Sequence, residues 1–96
     1  MDIYTRISAK RDEILVLAGR YGIENIRIFG SVARHEAHEG SDVDFLVRFP
    51  EDASLFTHIG FQQDLEELLG CSVDVASENG LKEQIRKTVF QEAVPL

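Results

Sequence analysis

Apolar positions recur at helical spacing through residues 2–21, where Ile3, Ile7, Ile14, Leu17, Ala18 and Tyr21 share one face and Lys10, Arg11, Asp12 and Glu13 take the other. Gly22 follows as a stop signal. The period then changes: over residues 25–29, Ile26 and Ile28 alternate against Arg27, a strand with one covered face that ends at Gly30. A second alternation fills residues 42–49, with Val43, Phe45 and Val47 pointing one way and Asp42, Asp44, Leu46 and Arg48 the other, and Pro50 closes it. Leu55, Phe56, Ile59, Leu65, Leu68 and Leu69 predict another amphipathic helix, with Gly70 at its C-terminal cap. A short strand over residues 72–76 puts Val73 and Val75 on one face and Asp74 on the opposite one. The last helix is expected to begin near Leu81, because Leu81, Ile85, Val89 and Ala93 repeat every fourth position before Pro95 ends it.

The predicted order is helix, strand, short turn or helix, strand, helix, strand, helix. The short link between the first two strands favours antiparallel pairing, whereas the helix between the second and third makes a crossover with parallel pairing. The expected fold class is therefore α+β, a small mixed three-stranded sheet packed with helices. No repeat, low-complexity tract or linker divides the chain, and residues 1–96 read as one domain.

Composition narrows the functional classes. A 96-residue domain buries only ~60–65% of the surface its unfolded chain exposes, so a deep pocket needs a partner to complete it. Ten Lys and Arg against seventeen Asp and Glu give a net charge of −7, which opposes direct binding of nucleic acid through bulk electrostatics. A single cysteine, Cys71, excludes an internal disulfide framework and suits a reducing cytoplasm, where it serves as a small buried or half-buried filler. The apolar runs are too short to span a membrane, and the Met-Asp start lacks a basic region followed by an apolar stretch. The chain reads as cytoplasmic.

The candidate chemistry lies between Phe29 and Val47. Phe29-Gly30-Ser31 is followed, ten residues on, by Asp42-Val43-Asp44. Residues two apart on a strand project from the same face, so Asp42 and Asp44 present two carboxylates side by side. Such a pair repels itself unless a hard cation lies between, and Mg²⁺ takes one or two carboxylates while leaving its other positions to water and phosphate. Asp74 sits on a neighbouring strand between apolar residues. If that strand pairs beside the second, three carboxylates converge and can hold two metals ~3.5–4 Å apart, an arrangement suited to phosphoryl transfer. Gly30 lets the backbone approach a phosphate, the following N–H groups and the Ser31 hydroxyl can donate to its oxygens, and Arg34, one turn on, can add a cationic contact.

Together, Ile-Phe-Gly-Ser-Val-Ala-Arg, Ser-Asp-Val-Asp-Phe-Leu-Val, Val-Asp-Val and a closing helix ending Glu-Ala-Val-Pro-Leu resemble the nucleotidyltransferase superfamily related to DNA polymerase β. The chain is most similar in plan to the minimal nucleotidyltransferase (MNT) domains that pair with HEPN-domain proteins in toxin-antitoxin systems. The resemblance implies that Gly30 and Ser31 hold the β- and γ-phosphates of a nucleotide, that Asp42 and Asp44 bind two Mg²⁺ ions, and that Asp74 completes one metal site and helps activate an acceptor hydroxyl. It further implies transfer of NMP, AMP from ATP, to a tyrosine of a cognate HEPN toxin, with this chain as the antitoxin in a hetero-oligomer; a homodimer is the other assembly to consider. The alternative is a non-catalytic antitoxin that neutralises its partner by docking, and a third reading is transfer to a small molecule. The sequence departs from the family pattern at His35, where many relatives carry Gly.

Other residues admit blander readings. His35 and His38 are spaced to ligate a transition metal if their segment is helical, but neither a cysteine nor a third histidine lies near. His58 is expected at the surface. Lys82, Arg86 and Lys87 form either a solvated face or a contact with nucleotide phosphate, and Arg48 either pairs with the aspartates or touches substrate. The run Glu36, Glu39, Asp42, Asp44 reads as solubilising surface except at the two aspartates, whose alternation precedes an apolar strand. Phe56, Phe61 and Phe90 are expected in the core, and any one exposed would belong to a protein interface.

Overall fold

The computed structural model describes residues 2–38 and 40–96; Glu39, counted above in the acidic run, lies outside the described residues. The first predicted helix is two helices. Asp2 caps α1 (Ile3–Ala9) by accepting the Thr5 N–H at 2.8 Å, and the chain bends at Lys10, whose N–H is shared between Arg6 O and Ile7 O, before α2 (Arg11–Arg20). The bend has a packing cause: α1 lies against a short helix α3 (Gly30–Ala33), whereas α2 lies against α4 (Leu55–Leu69) and the first strand, so one straight rod would miss one set of partners. Both halves still bury their key isoleucines, Ile7 and Ile14.

Strands β1 (Glu24–Phe29) and β2 (Val43–Arg48) pair antiparallel, and β2 pairs in parallel with β3 (Val73–Ser77) through the crossover helix α4, as the alternation implied. Helix α4 starts at a capping box, in which Ser54 and Thr57 bond each other's backbone N–H groups, and stops at Gly70, whose φ of +69° is left-handed.

The sheet has four strands rather than three, in the order β3-β2-β1-β4. The last helix, α5, spans Glu83–Glu92, so Leu81 precedes it, Ala93 is its C-cap, and Val94–Pro95 form β4 antiparallel to β1. A two-residue strand leaves no periodic signal, and its proline is tolerated because β4 is an edge where the missing N–H is not needed. Ile85, on the apolar repeat of the last helix, is 48% exposed.

Alternation assigns the two faces. Val43, Phe45 and Val47 join Ile26, Ile28, Val73 and Val75 in one apolar cluster closed by Ile7, Ile14 and Leu17 and by Phe61, Leu65 and Leu69 of α4. On the other face, Leu46 and Val89 are buried apart from that cluster, and Arg27 lies over the ring of Phe90 in α5. Phe61 is fully buried, as expected. Phe56 is not: it is 84% exposed beside exposed Leu55 and Ile59.

The outer edge of β3 is closed by side chains of α4. Val73 N–H donates to Glu66 Oε2 (3.1 Å), Val75 N–H donates to Gln62 Oε1 (3.2 Å), and His58 Nε2 meets Val75 O (2.8 Å). His58 is thus a half-buried strand cap, stacked on Phe49, rather than the surface residue its sequence context suggested. No helix among the described residues is long and apolar enough to cross a membrane.

Candidate functional site

Register brings the predicted residues together. Phe29 pairs with Asp44, and Asp44 with Asp74, so the end of β1 and both carboxylates form one row across the sheet on the face opposite the main core. Asp42 is exposed just before β2 and on the same side as Asp44 by alternation. The next row along, Arg27, Leu46 and Ala76, lies under α5 and the short 3-10 turn Glu78–Gly80.

Asp44 is the half-buried member of the set. Burial pushes its carboxyl above the ordinary value, the negative charges of Asp74 and Asp42 push it further, and Arg34 partly offsets them. The three carboxylates therefore lie within electrostatic range of one another. Among the described residues, however, no three His, Cys, Asp or Glu side chains close into a ready-made metal cage.

Gly30 explains the tight approach at the strand end. Its φ of +74° is left-handed, and a Cβ built there would collide with Asp44 Oδ2 and sit 3.2 Å from Asp44 Cγ. The left-handed backbone favours glycine, which lets the start of α3 come this close to the carboxylate without displacing it. Phe29 occupies the N-cap position of α3 without supplying a side-chain cap, and half-buried Ser31 sits in the single turn of helix that follows.

Arg34, at the end of that turn, is held by Glu36 Oε2 and Glu92 Oε2, each at 3.0 Å, which raise its pKa above the ordinary guanidinium value. It is thus tied to α5 rather than free. His35 adopts φ +58°, a backbone that favours glycine, and tilts against Tyr4 with ring centroids 4.5 Å apart. His35 follows α3 in a turn, so the helical histidine pair considered above does not form. Arg48 lies at the far end of β2 opposite Glu24, away from the carboxylate row. Cys71 is half-buried, and burial pushes its thiol up.

Sequence reasoning missed a cluster on the same face. Arg27 ion-pairs with Glu78, both Arg27 and Arg86 lie 5.0 Å from the Phe90 ring centre, and Arg86 donates to Glu78 O. Arg86 is therefore neither a solvated residue nor a free cation. The signal available was Arg27 at a strand position that faces the aspartates' side of the sheet.

The family model described as nucleotidyltransferase domain matches residues 11–96, and the chain belongs to that enzyme family. It is similar to the protein adenylyltransferase MntA of Thermococcus cleftensis, at 47% identity over 78 residues that cover 81% of this chain and 79% of that one. A Methanocaldococcus jannaschii protein provisionally named a protein adenylyltransferase is 36% identical over 88 residues, 92% of this chain and 95% of its own. A solved structure provisionally described as a minimal nucleotidyltransferase superposes with a TM-score of 0.88 at 47% identity, covering 100% of this chain and 97% of that one. A toxin-antitoxin crystal structure with AMP-PNP shares the fold, with a TM-score of 0.76 at 20% identity over 88% of this chain and 69% of that one.

Proposed function

We propose that this chain is a single-domain, cytoplasmic, Mg²⁺-dependent protein adenylyltransferase that moves AMP from ATP onto a tyrosine hydroxyl of a HEPN-domain toxin and so acts as its antitoxin. The observation that carries this reading is the Asp44–Asp74 register beside left-handed Gly30, a concentration of oxygen donors in which burial first, and then the charges of Asp74 and Asp42, raise the pKa of Asp44. A hard dication fits that donor set, and Asp42, Asp44 and Asp74 would hold it. When bound, it supplies charge neutralisation for the triphosphate and the pyrophosphate leaving group.

The chain's own groups do the positioning. Backbone N–H groups at the start of α3 and the Ser31 hydroxyl donate to the β- and γ-phosphate oxygens, with Gly30 keeping the backbone close enough to reach them. Asp74, across from Asp44, accepts the proton that the acceptor hydroxyl loses as it attacks the α-phosphorus. Arg34 tempers the field of the carboxylates from its ion pairs, and reaching a phosphate would require leaving Glu36 and Glu92. The relatives named as protein adenylyltransferases support a protein acceptor.

The test is to incubate the chain with ATP, Mg²⁺ and the protein encoded beside it and to weigh that partner. A gain of one or more adenylyl units on tyrosine is expected. A partner that binds yet stays unmodified overturns the reading, and survival of neutralisation in Asp42→Asn/Asp44→Asn would show that docking alone suffices.

A further inference from the structure

Both edges of the sheet are shut to strand addition. The β3 edge is occupied by His58, Gln62 and Glu66 of α4, and β4 is two residues long and contains Pro95. A protein that binds this chain therefore finds helix and loop surfaces rather than a free strand edge. Helices α2 and α4 leave a groove of about 570 Å³ between them, with Val16, Leu17 and Leu68 as its apolar lining and Asp12, Glu13, Asp64 and Glu67 as its acidic lining, against a single Arg20 among the described residues. Val16 is 59% exposed at its centre, next to exposed Leu15.

The charge around this groove is unevenly answered. Arg11 approaches Asp12 at 3.5 Å and Lys10 approaches Glu13 at 4.0 Å, both in solvent where such pairs contribute little. Asp64 accepts the Tyr21 hydroxyl, a neutral donor, at 2.5 Å. With the chain as a whole at −7, the rim complements a cationic ligand. Two helices side by side present ridges that a third helix fits, with its apolar stripe on the floor and basic residues against the rim.

Resting on the reading that the chain acts on a protein, we propose that the α2/α4 groove is the docking site for a basic amphipathic helix of that partner, on the apolar face of the sheet and apart from the carboxylate row. The partner is thus gripped on one side of the sheet while its acceptor is offered to the other.

The experiment titrates the purified protein encoded beside this chain against wild type, Val16→Asp, and Glu13→Lys with Glu67→Lys, checking each fold by circular dichroism; all three positions are exposed or rim residues. Val16→Asp is expected to weaken binding about tenfold or more. The double reversal is expected to weaken it about tenfold at low salt and to flatten its salt dependence. In the transfer assay, KM for the partner rises while kcat at saturation and KM for ATP stay at wild-type values. Folded variants that bind like wild type overturn the inference. If the partner is adenylylated and the variants are indifferent, the groove proposal falls and the reaction stands; if binding depends on the groove and no AMP moves, the reverse holds. A wild-type chain that neither binds nor modifies the partner sinks both, and a homodimer that the variants dissolve assigns the groove to a second copy instead.

Discussion

The two faces of β2 are built from the same six residues to opposite ends. Val43, Phe45 and Val47 are fully buried in the main core, with contacts from α4 and the flanking strands. Asp44 on the reverse face is only half-buried, faces another carboxylate in register, and has its proton affinity raised by burial and by its neighbours. One face is stable as it stands, and the other holds like charges side by side under tension. The difference teaches that the apolar face supplies the rigidity that lets the polar face hold mutually repelling groups in place.

Ranked by effect on stability, four changes break or sharpen this contrast. Phe45→Ala removes a fully buried ring from the covered face and is expected to cost about 3–5 kcal/mol, read as the urea midpoint. Gly30→Ala strikes the other face, where a Cβ collides with Asp44 and the backbone is left-handed; a cost of about 1–3 kcal/mol is expected. Adenylyl transfer should fall about 100-fold or more, because the displaced groups are those that orient the phosphates.

Tyr21→Phe, at the join of α2 and α4, should cost about 1 kcal/mol at neutral pH. The folded Tyr21 pKa lies above 10.0 because it donates to Asp64, so its contribution is complete below that value and fades as pH rises through the folded one. Wild type and variant should converge in strong alkali.

Asp44→Asn is the smallest change and the most diagnostic. The folded carboxyl holds its proton more tightly than the unfolded chain, whose value is 3.8; its stabilising contribution is full below that and is lost as pH rises through the raised folded value. In chelator at neutral pH the Asp44→Asn chain should therefore melt slightly above wild type, while its transfer activity disappears. A variant that melts lower would contradict the picture of tension.

Much of this was readable in the chain, for physical reasons. Period-two alternation at residues 43–47 fixes which side chains meet the core, and the parallel crossover then places Asp74 beside Asp44. Motif spacing marked Gly30 and Ser31. Periodicity cannot report what covers a helix face, so Phe56, expected in the core, and Ile85, on the apolar repeat of the last helix, both stand exposed. Nor does spacing reveal the bend at Lys10 or a strand as short as Val94–Pro95, both of which arise from tertiary partners. The settings of His58 and Arg86 are not legible locally because their partners, Val75 O and the Phe90 ring, are brought by folding rather than by neighbouring sequence.

The side chains that close the edge of β3 have a metrical consequence. Four residues of helix rise about 6 Å, close to the roughly 6.6 Å that two residues of strand advance. Gln62 and Glu66 can therefore engage Val75 and Val73 in step. A one-residue slip of β3 would turn Asp74 toward the core and Val73 toward solvent. Helix α4 donates no group to the carboxylate row, yet it serves as the gauge against which that row is aligned.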